Sequence, residues 1–328
     1  MLILEPMIDD YSHDRSYKEI FSHSELMQQL IEGFAPPELV ELLDFGTLTI
    51  MKDSYITPNL DERHDDVVWK IKMGDEYLYL YILLEFQSTP SQQMPVRMLQ
   101  YVASLYDSLI KSKEIHPKRL PPVFPIVLYN GDSRWNIETN LSKLIECPAF
   151  LRPYQPSLNY YLLDEGAFNA QVLADINNVV SGIFYIENAK TDEQAKEAVR
   201  RIISAVNNLP NKERIDRMIA HWVMRYLKYK RPDVIIDNIE LIEDTSMLAT
   251  NVDKWFESAE LRGRQEGEST GMVKAIREMF SIYFPTADFS QYLTKLSDMT
   301  EAKLTGYIRR MTTAKTPEEV FAEEDSPK

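Results

Sequence analysis

The chain has 328 residues, 44% of them hydrophobic and 27% charged, with a formal net charge of −15. That length supports one large core or two modest domains, and the composition is ordinary for a folded soluble protein. Bulk charge argues against a nucleic-acid partner, because phosphate binding is driven by Lys and Arg. The single cysteine, Cys147, excludes an internal disulfide and favours a reducing cytoplasm. The start "MLILEPMIDDYSHD" lacks the basic region of a signal peptide. No apolar run reaches the roughly 18 residues of a membrane helix, so no membrane partner is expected.

Residues 12–34 carry apolar side chains at helical spacing: Tyr17, Ile20, Phe21, then Leu26, Leu30, Ile31 and Phe34. Ser22 and Glu25 have the spacing of a capping box that restarts the helix. Pro36 and Pro37 mark the next boundary, and "PPELVELLDF" reads as a short helix. "LTIMKDSYI", 48–56, reads as a strand. Two strands follow within "DDVVWKIKMGDEYLYLYILLEFQS", 65–88. Helical spacing resumes from Val96 through Leu99, Val102, Leu105, Tyr106 and Leu109. "LPPVFPIVLYNG", 120–131, is a buried strand entered through prolines and stopped at Asn130–Gly131. "LNYYLLD", 158–164, is another strand. From Asp164 onward the pattern is helical, with Thr191 and Gln194 spaced to cap "AKEAVRRIISAVNNL" and separate helices expected over 246–267 and from Lys274. The reading is an α/β core of 1–165, a helical region of 166–260, and a helical tail of 261–328 with a frayed acidic end.

The acids of the central hairpin are out of place for a buried sheet. Pairing Met73 with Leu78 across "GDEY" sets Asp66 opposite Glu85, and opposed residues share a face. Gln87, two beyond Glu85, shares that face, and so does Lys70. Like charges directly opposed are destabilising unless something positive lies between them. A hard divalent cation such as Mg²⁺, which prefers oxygen ligands, answers that need. It also suits metal-assisted phosphodiester hydrolysis. Taken alone, the simpler reading of Asp66 and Glu85 is a pair of solvated strand ends.

Four segments carry more. "HDRSYKEIF", the hairpin ending "LLEFQS", "MPVRMLQY" and "LPPVFPIVLYNGDSRW" together resemble, in order and spacing, the Rpn family of recombination-promoting nucleases, the YhgA-like transposase type of the PD-(D/E)XK superfamily. The resemblance covers residues 13–165. It implies a restriction-endonuclease-like core: a central mixed sheet flanked by helices, followed by an all-helical C-terminal region. It implies Asp66, Glu85 and the Phe86 carbonyl as metal ligands, with Asp66, Glu85 and Gln87 catalytic and Mg²⁺ as cofactor. His13 and Asp14 match an N-terminal pair assigned to the nucleic-acid side. Phe86 replaces the usual His, and Gln87 stands where the superfamily has Lys. Gln can hydrogen-bond a water but brings no charge. Lys70 is a candidate source of that charge, against the simpler reading of a solvated strand lysine.

Arg97 and Tyr101 share a helix face and are candidates for phosphate contact, or for packing on the sheet. The ten basic residues between Lys196 and Arg231, with Trp222, Tyr226 and Tyr229 among them, suit duplex tracking or strand stacking; solvated helix faces explain them equally well. The five histidines show no metal spacing. The expected activity is a Mg²⁺-dependent DNA endonuclease of low sequence specificity, linked to recombination or mobile elements. The alternatives are a catalytically weak or silent binding module of the same fold, and a C-terminal part that governs homo-oligomerisation.

Overall fold

The computed structural model describes residues 13–51, 67–85, 90–131, 133–210, 212–234, 244–296 and 299–322. Two helices open it, α1 (His13–Phe21) and α2 (Ser24–Phe34), followed by the single turn α3 (Pro37–Val40). The expected capping box is not made. His23, not Ser22, precedes α2, and the Ser22 hydroxyl donates back to the Lys18 carbonyl at 2.6 Å. That local bond ends α1 instead of starting α2.

The sheet has five strands in sequence order: β1 (Leu43–Ile50), β2 (Val67–Met73), β3 (Glu76–Glu85), β4 (Val123–Tyr129) and β5 (Tyr161–Asp164). The β1–β2 and β2–β3 pairs are antiparallel; β3–β4 and β4–β5 are parallel. β1 begins five residues earlier than the sequence suggests, and residues 52–56 of the expected strand lie outside the described residues. Its register shifts between Asp44 and Thr49. There Thr47 Oγ1 accepts the Lys72 N–H at 2.9 Å, a side chain standing in for a ladder carbonyl.

The β2–β3 hairpin is tighter than expected. Met73 pairs with Glu76, not Leu78, across a two-residue turn at Gly74 and Asp75. Gly74 adopts φ +63°, a left-handed conformation that costs glycine little. The ladder runs from there to Val67 opposite Ile82. The expected pairing of Asp66 with Glu85 falls on a residue outside those described.

One face of the sheet is covered by α4 (Met94–Lys111). Its stripe of Met94, Met98, Tyr101, Val102, Leu105 and Leu109 packs with Val68, Tyr79, Tyr81 and Val127. Each such aliphatic side chain, fully buried, contributes roughly 1.5–3 kcal/mol. The other face meets α1, where Trp69 Nε1 donates to the Phe21 carbonyl at 2.8 Å. Behind it come α5 (Ala170–Ile176), α6 (Val179–Glu187), α7 (Asp192–Asn207) and α8 (Glu213–Lys230). Phe34 of α2 meets Phe184 of α6 at 4.8 Å between ring centroids. Gly182 lets α6 approach α7 closely: a Cβ there would stand 2.6 Å from Ile202 Cγ1. As expected, Thr191 caps α7 by accepting the Gln194 N–H, and Gln194 returns the favour to the Lys190 N–H.

The chain divides into two compact units, one of residues 1–230 with 236–252, the other of 231–235 with 253–328. The first runs well past residue 165, because α6 packs on α2. The second holds the end of α9 (Thr245–Tyr283), then α10 (Ser290–Leu296), α11 (Glu301–Met311) and α12 (Pro317–Val320). Its core gathers Ile276, Phe280, Leu304, Tyr307 and Met311, with Phe321 stacked on Tyr292 at 4.2 Å. The two helices expected on either side of the glycines are one: α9 passes through Gly263, Gly267 and Gly271 without a break.

Candidate functional site

Glu85 is the last residue of the central strand. Its backbone stands level with Tyr129 at the end of β4, and Tyr129 stands level with Asp164 at the end of β5. Three parallel strands therefore finish on one rung, spaced about 4.8 Å apart. Asp66, Phe86 and Gln87 lie outside the described residues. His13 and Asp14 open α1. Among the described residues no group of three or more His, Cys, Asp or Glu side chains is arranged to hold a metal ion. The expected set of two carboxylates and a backbone carbonyl is all oxygen, which suits a hard cation such as Mg²⁺.

Lys70 is not brought to Glu85. It pairs with Tyr79, six residues down β3, or about 20 Å along the strand. There its ammonium lies 4.4 Å from the Tyr77 ring centroid and 3.8 Å from a Glu114 carboxylate oxygen. Arg97 and Tyr101 do share a face, with the guanidinium 5.9 Å from the ring centroid. Tyr101, however, is buried and stacks on Tyr81 of β3 at 5.8 Å. It ties α4 to the central strand. Arg97 sits in the first turn of α4.

One step past the common rung lies a polar network that no sequence spacing announced. Glu165, directly after β5, is 1% exposed. Glu187, at the end of α6, faces it. Tyr17 Oη of α1 stands 2.7 Å from Glu187 Oε2 and 3.2 Å from Glu165 Oε2. A phenol has one proton, so it serves one carboxylate at a time. Asn130, directly after β4, donates its amide to Glu187 Oε2. Asn188 donates to the Glu165 carbonyl at 2.9 Å. Burial, then the charge of Glu187, push the Glu165 carboxyl well above its ordinary range. Burial pushes Glu187 up to about 7, opposed by bonds from Glu165 and Tyr17 and by the Lys230 charge. Two carboxylates in contact, one buried and one half-buried, cannot both ionise cheaply; Glu165 keeps the proton and donates it toward Glu187. The network joins α1, the ends of β4 and β5, and α6 at the sheet end that carries Glu85.

From sequence, Asn130–Gly131 stops the buried strand. Beyond that stop Trp135 meets Tyr129, at 5.0 Å edge to face. Asn130 is also a member of the network, through a contact to a helix 57 residues away.

A mixed sheet with helices on both faces and a carboxylate closing its central strand defines a PD-(D/E)XK-like α/β protein. The chain belongs to the family described as "Putative transposase, YhgA-like", whose model matches residues 11–226. Among curated proteins it is 33% identical over 122 residues to recombination-promoting nuclease RpnC of Escherichia coli K12, covering 37% of this chain and 39% of the relative. It is 28% identical over 119 residues to recombination-promoting nuclease RpnD of E. coli O157:H7, covering 36% and 45%. It is also 26% identical over 121 residues to an inactive recombination-promoting nuclease-like protein, RpnE of E. coli K12, covering 37% and 40%. In each case the match spans less than half the length of the relative. No solved structure matches the chain significantly. Among the described residues no helix is long and apolar enough to cross a membrane.

Proposed function

We propose that the chain is a divalent-metal-dependent endodeoxyribonuclease of low sequence specificity, acting in recombination or mobile-element biology in the cytoplasm. The observation that carries this reading is the position of Glu85: it ends the central strand, which pairs antiparallel with β2 and parallel with β4. Asp66, Glu85 and the Phe86 carbonyl would hold Mg²⁺, which when bound supplies an acidified water and neutralises phosphate charge. Gln87 orients the attacking water through its amide. It contributes no charge, and Lys70, paired elsewhere with Glu114, does not replace that charge. The family relationship to proteins named as nucleases supports the reading.

A second reading is a nuclease-fold module that binds but does not cut. A relative named inactive favours it, as does Gln87 in place of Lys. Supercoiled plasmid incubated with purified protein and Mg²⁺, Mn²⁺ or EDTA separates the two. The first reading expects metal-dependent nicking that Glu85→Ala abolishes. Absence of nicking by the folded wild-type protein in either metal leaves the second.

A further inference from the structure

Five of the six basic residues of α8 lie in one stripe, with Lys230 at its last position outside it. At 100° per residue, Arg214, Arg217, His221, Arg225 and Lys228 fall within about 80° of arc. Arg214, Arg217, Arg225 and Lys228 are exposed. None of these four forms an ion pair with a described acid, in a chain whose net charge is −15. Described acids beside the stripe include Glu213, one residue before it, and Glu19, which shares a cleft with His221 and Arg225. Asp216 is turned inward, accepting the Thr245 N–H at 2.8 Å. The opposite side of α8 is apolar and packed: Trp222 and Tyr226 are each 4% exposed, and they stack on one another at 5.3 Å. Of the three aromatic residues in the basic stretch, only Tyr229 is exposed. Base stacking, which needs open ring faces, is therefore a poor fit, and contact with phosphates alone a good one.

The direction of the stripe is fixed by its neighbours. At one end, His23 at the α1–α2 junction is held below its ordinary value by burial and next by the Arg214 charge. In the middle, His221 and Arg225 share the cleft with Ser16 and Glu19 of α1. At the far end of the helix, the Lys230 charge acts on Glu187. Glu187 is bonded to Asn130, the residue after Tyr129, which stands level with Glu85. The stripe thus runs along α1 toward the sheet end where β3 finishes. From Arg214 to Lys228 it is about 21 Å long at 1.5 Å per residue. Over that length one strand of B-DNA presents about six phosphates.

We infer that Arg214, Arg217, Arg225 and Lys228 of α8 form a phosphate-tracking ridge that seats the backbone of a DNA duplex leading to the Glu85 end of the sheet. This rests on the nuclease reading for its choice of partner, and it makes an acid protein a DNA-binding one by concentrating cations on one helix face.

The test uses the full chain in EDTA at pH 8, where cutting is stopped and a histidine of ordinary pKa is neutral. Binding to a fluorescent 30-base-pair duplex is followed from 50 to 300 mM salt. The slope of log K against log salt is expected to fall by about 3–4 when all four residues are changed to Gln, at about 0.9 per phosphate contact. Affinity at low salt is expected to drop more than tenfold. Lys228 with Lys at the three Arg positions is expected to keep the slope, while the unfolding midpoints of all three proteins agree. An unchanged slope in the Gln variant overturns the ridge. If that variant also nicks plasmid normally with metal, the nuclease reading survives alone. If the wild-type protein neither binds duplex nor nicks plasmid, both fall; binding to an acidic protein surface in place of duplex also overturns the ridge.

Discussion

Two sets of acidic residues sit at one end of one sheet, and the chain positions them by different means. Glu85 closes β3 on the last rung. Glu165 and Glu187 lie one step past that rung, on separate elements, and are held by Tyr17, Asn130 and each other. Glu85 belongs to a short sequence motif, in which we propose that it is a metal ligand. The second pair belongs to the packing, and its value lies in closing a buried junction between α1, the strand ends and α6. Acids at a strand end are therefore not one kind of evidence. The deciding question is whether their oxygens are occupied by protein donors or offered outward.

The largest expected effect follows from that difference. Glu85→Ala removes a proposed ligand and should lower metal-dependent nicking by at least about a hundredfold. Its urea midpoint should match wild type; a matching loss of fold would erase the contrast with the buried pair. Glu165→Ala should do the reverse. Deleting a fully buried, bonded carboxyl should cost about 2–4 kcal/mol in urea unfolding.

pH sharpens the comparison further. Glu187 is raised from an ordinary 4.5 to about 7 in the folded protein. The folded state then holds its proton more tightly than the unfolded chain does. Its contribution to stability is complete below pH 4.5 and is lost as pH rises through about 7. Glu187→Gln keeps an amide in the network without that charge. It should flatten this fall and raise stability at pH 8 by about 1–2 kcal/mol, measured by thermal melts across pH. The smallest effect is expected for Tyr17→Phe, at about 1 kcal/mol. Losing its hydrogen bond should also move the fall in stability to higher pH, since that bond holds Glu187 down.

The sheet was legible from sequence because its strands are long apolar runs between clear punctuation. "VFPIVLY" and "YLLD" could hardly be anything else. The register was not, since "GDEY" reads as a four-residue loop unless Gly74 is known to take a positive φ. The α9 helix was read as two because glycine breaks isolated helices; three glycines in a 39-residue helix are outvoted by their neighbours. Trp222 and Tyr226 looked like stacking residues among cations, yet their spacing of four equally describes a buried stripe, and burial decided it. The Glu165–Glu187 pair left no signal in its spacing. Its members are 22 residues apart on different elements, and only the fold brings them into contact. The only cue was a Glu immediately after a strand.

The measurement that tests the division of labour most directly sets Glu85→Ala beside Glu187→Gln, each assayed for plasmid nicking in Mg²⁺ at pH 8 and for its thermal midpoint. The account predicts that Glu85→Ala is inactive at an unchanged midpoint, and that Glu187→Gln cuts like wild type at a raised one. Nicking retained by Glu85→Ala, or lost in a well-folded Glu187→Gln, would contradict it.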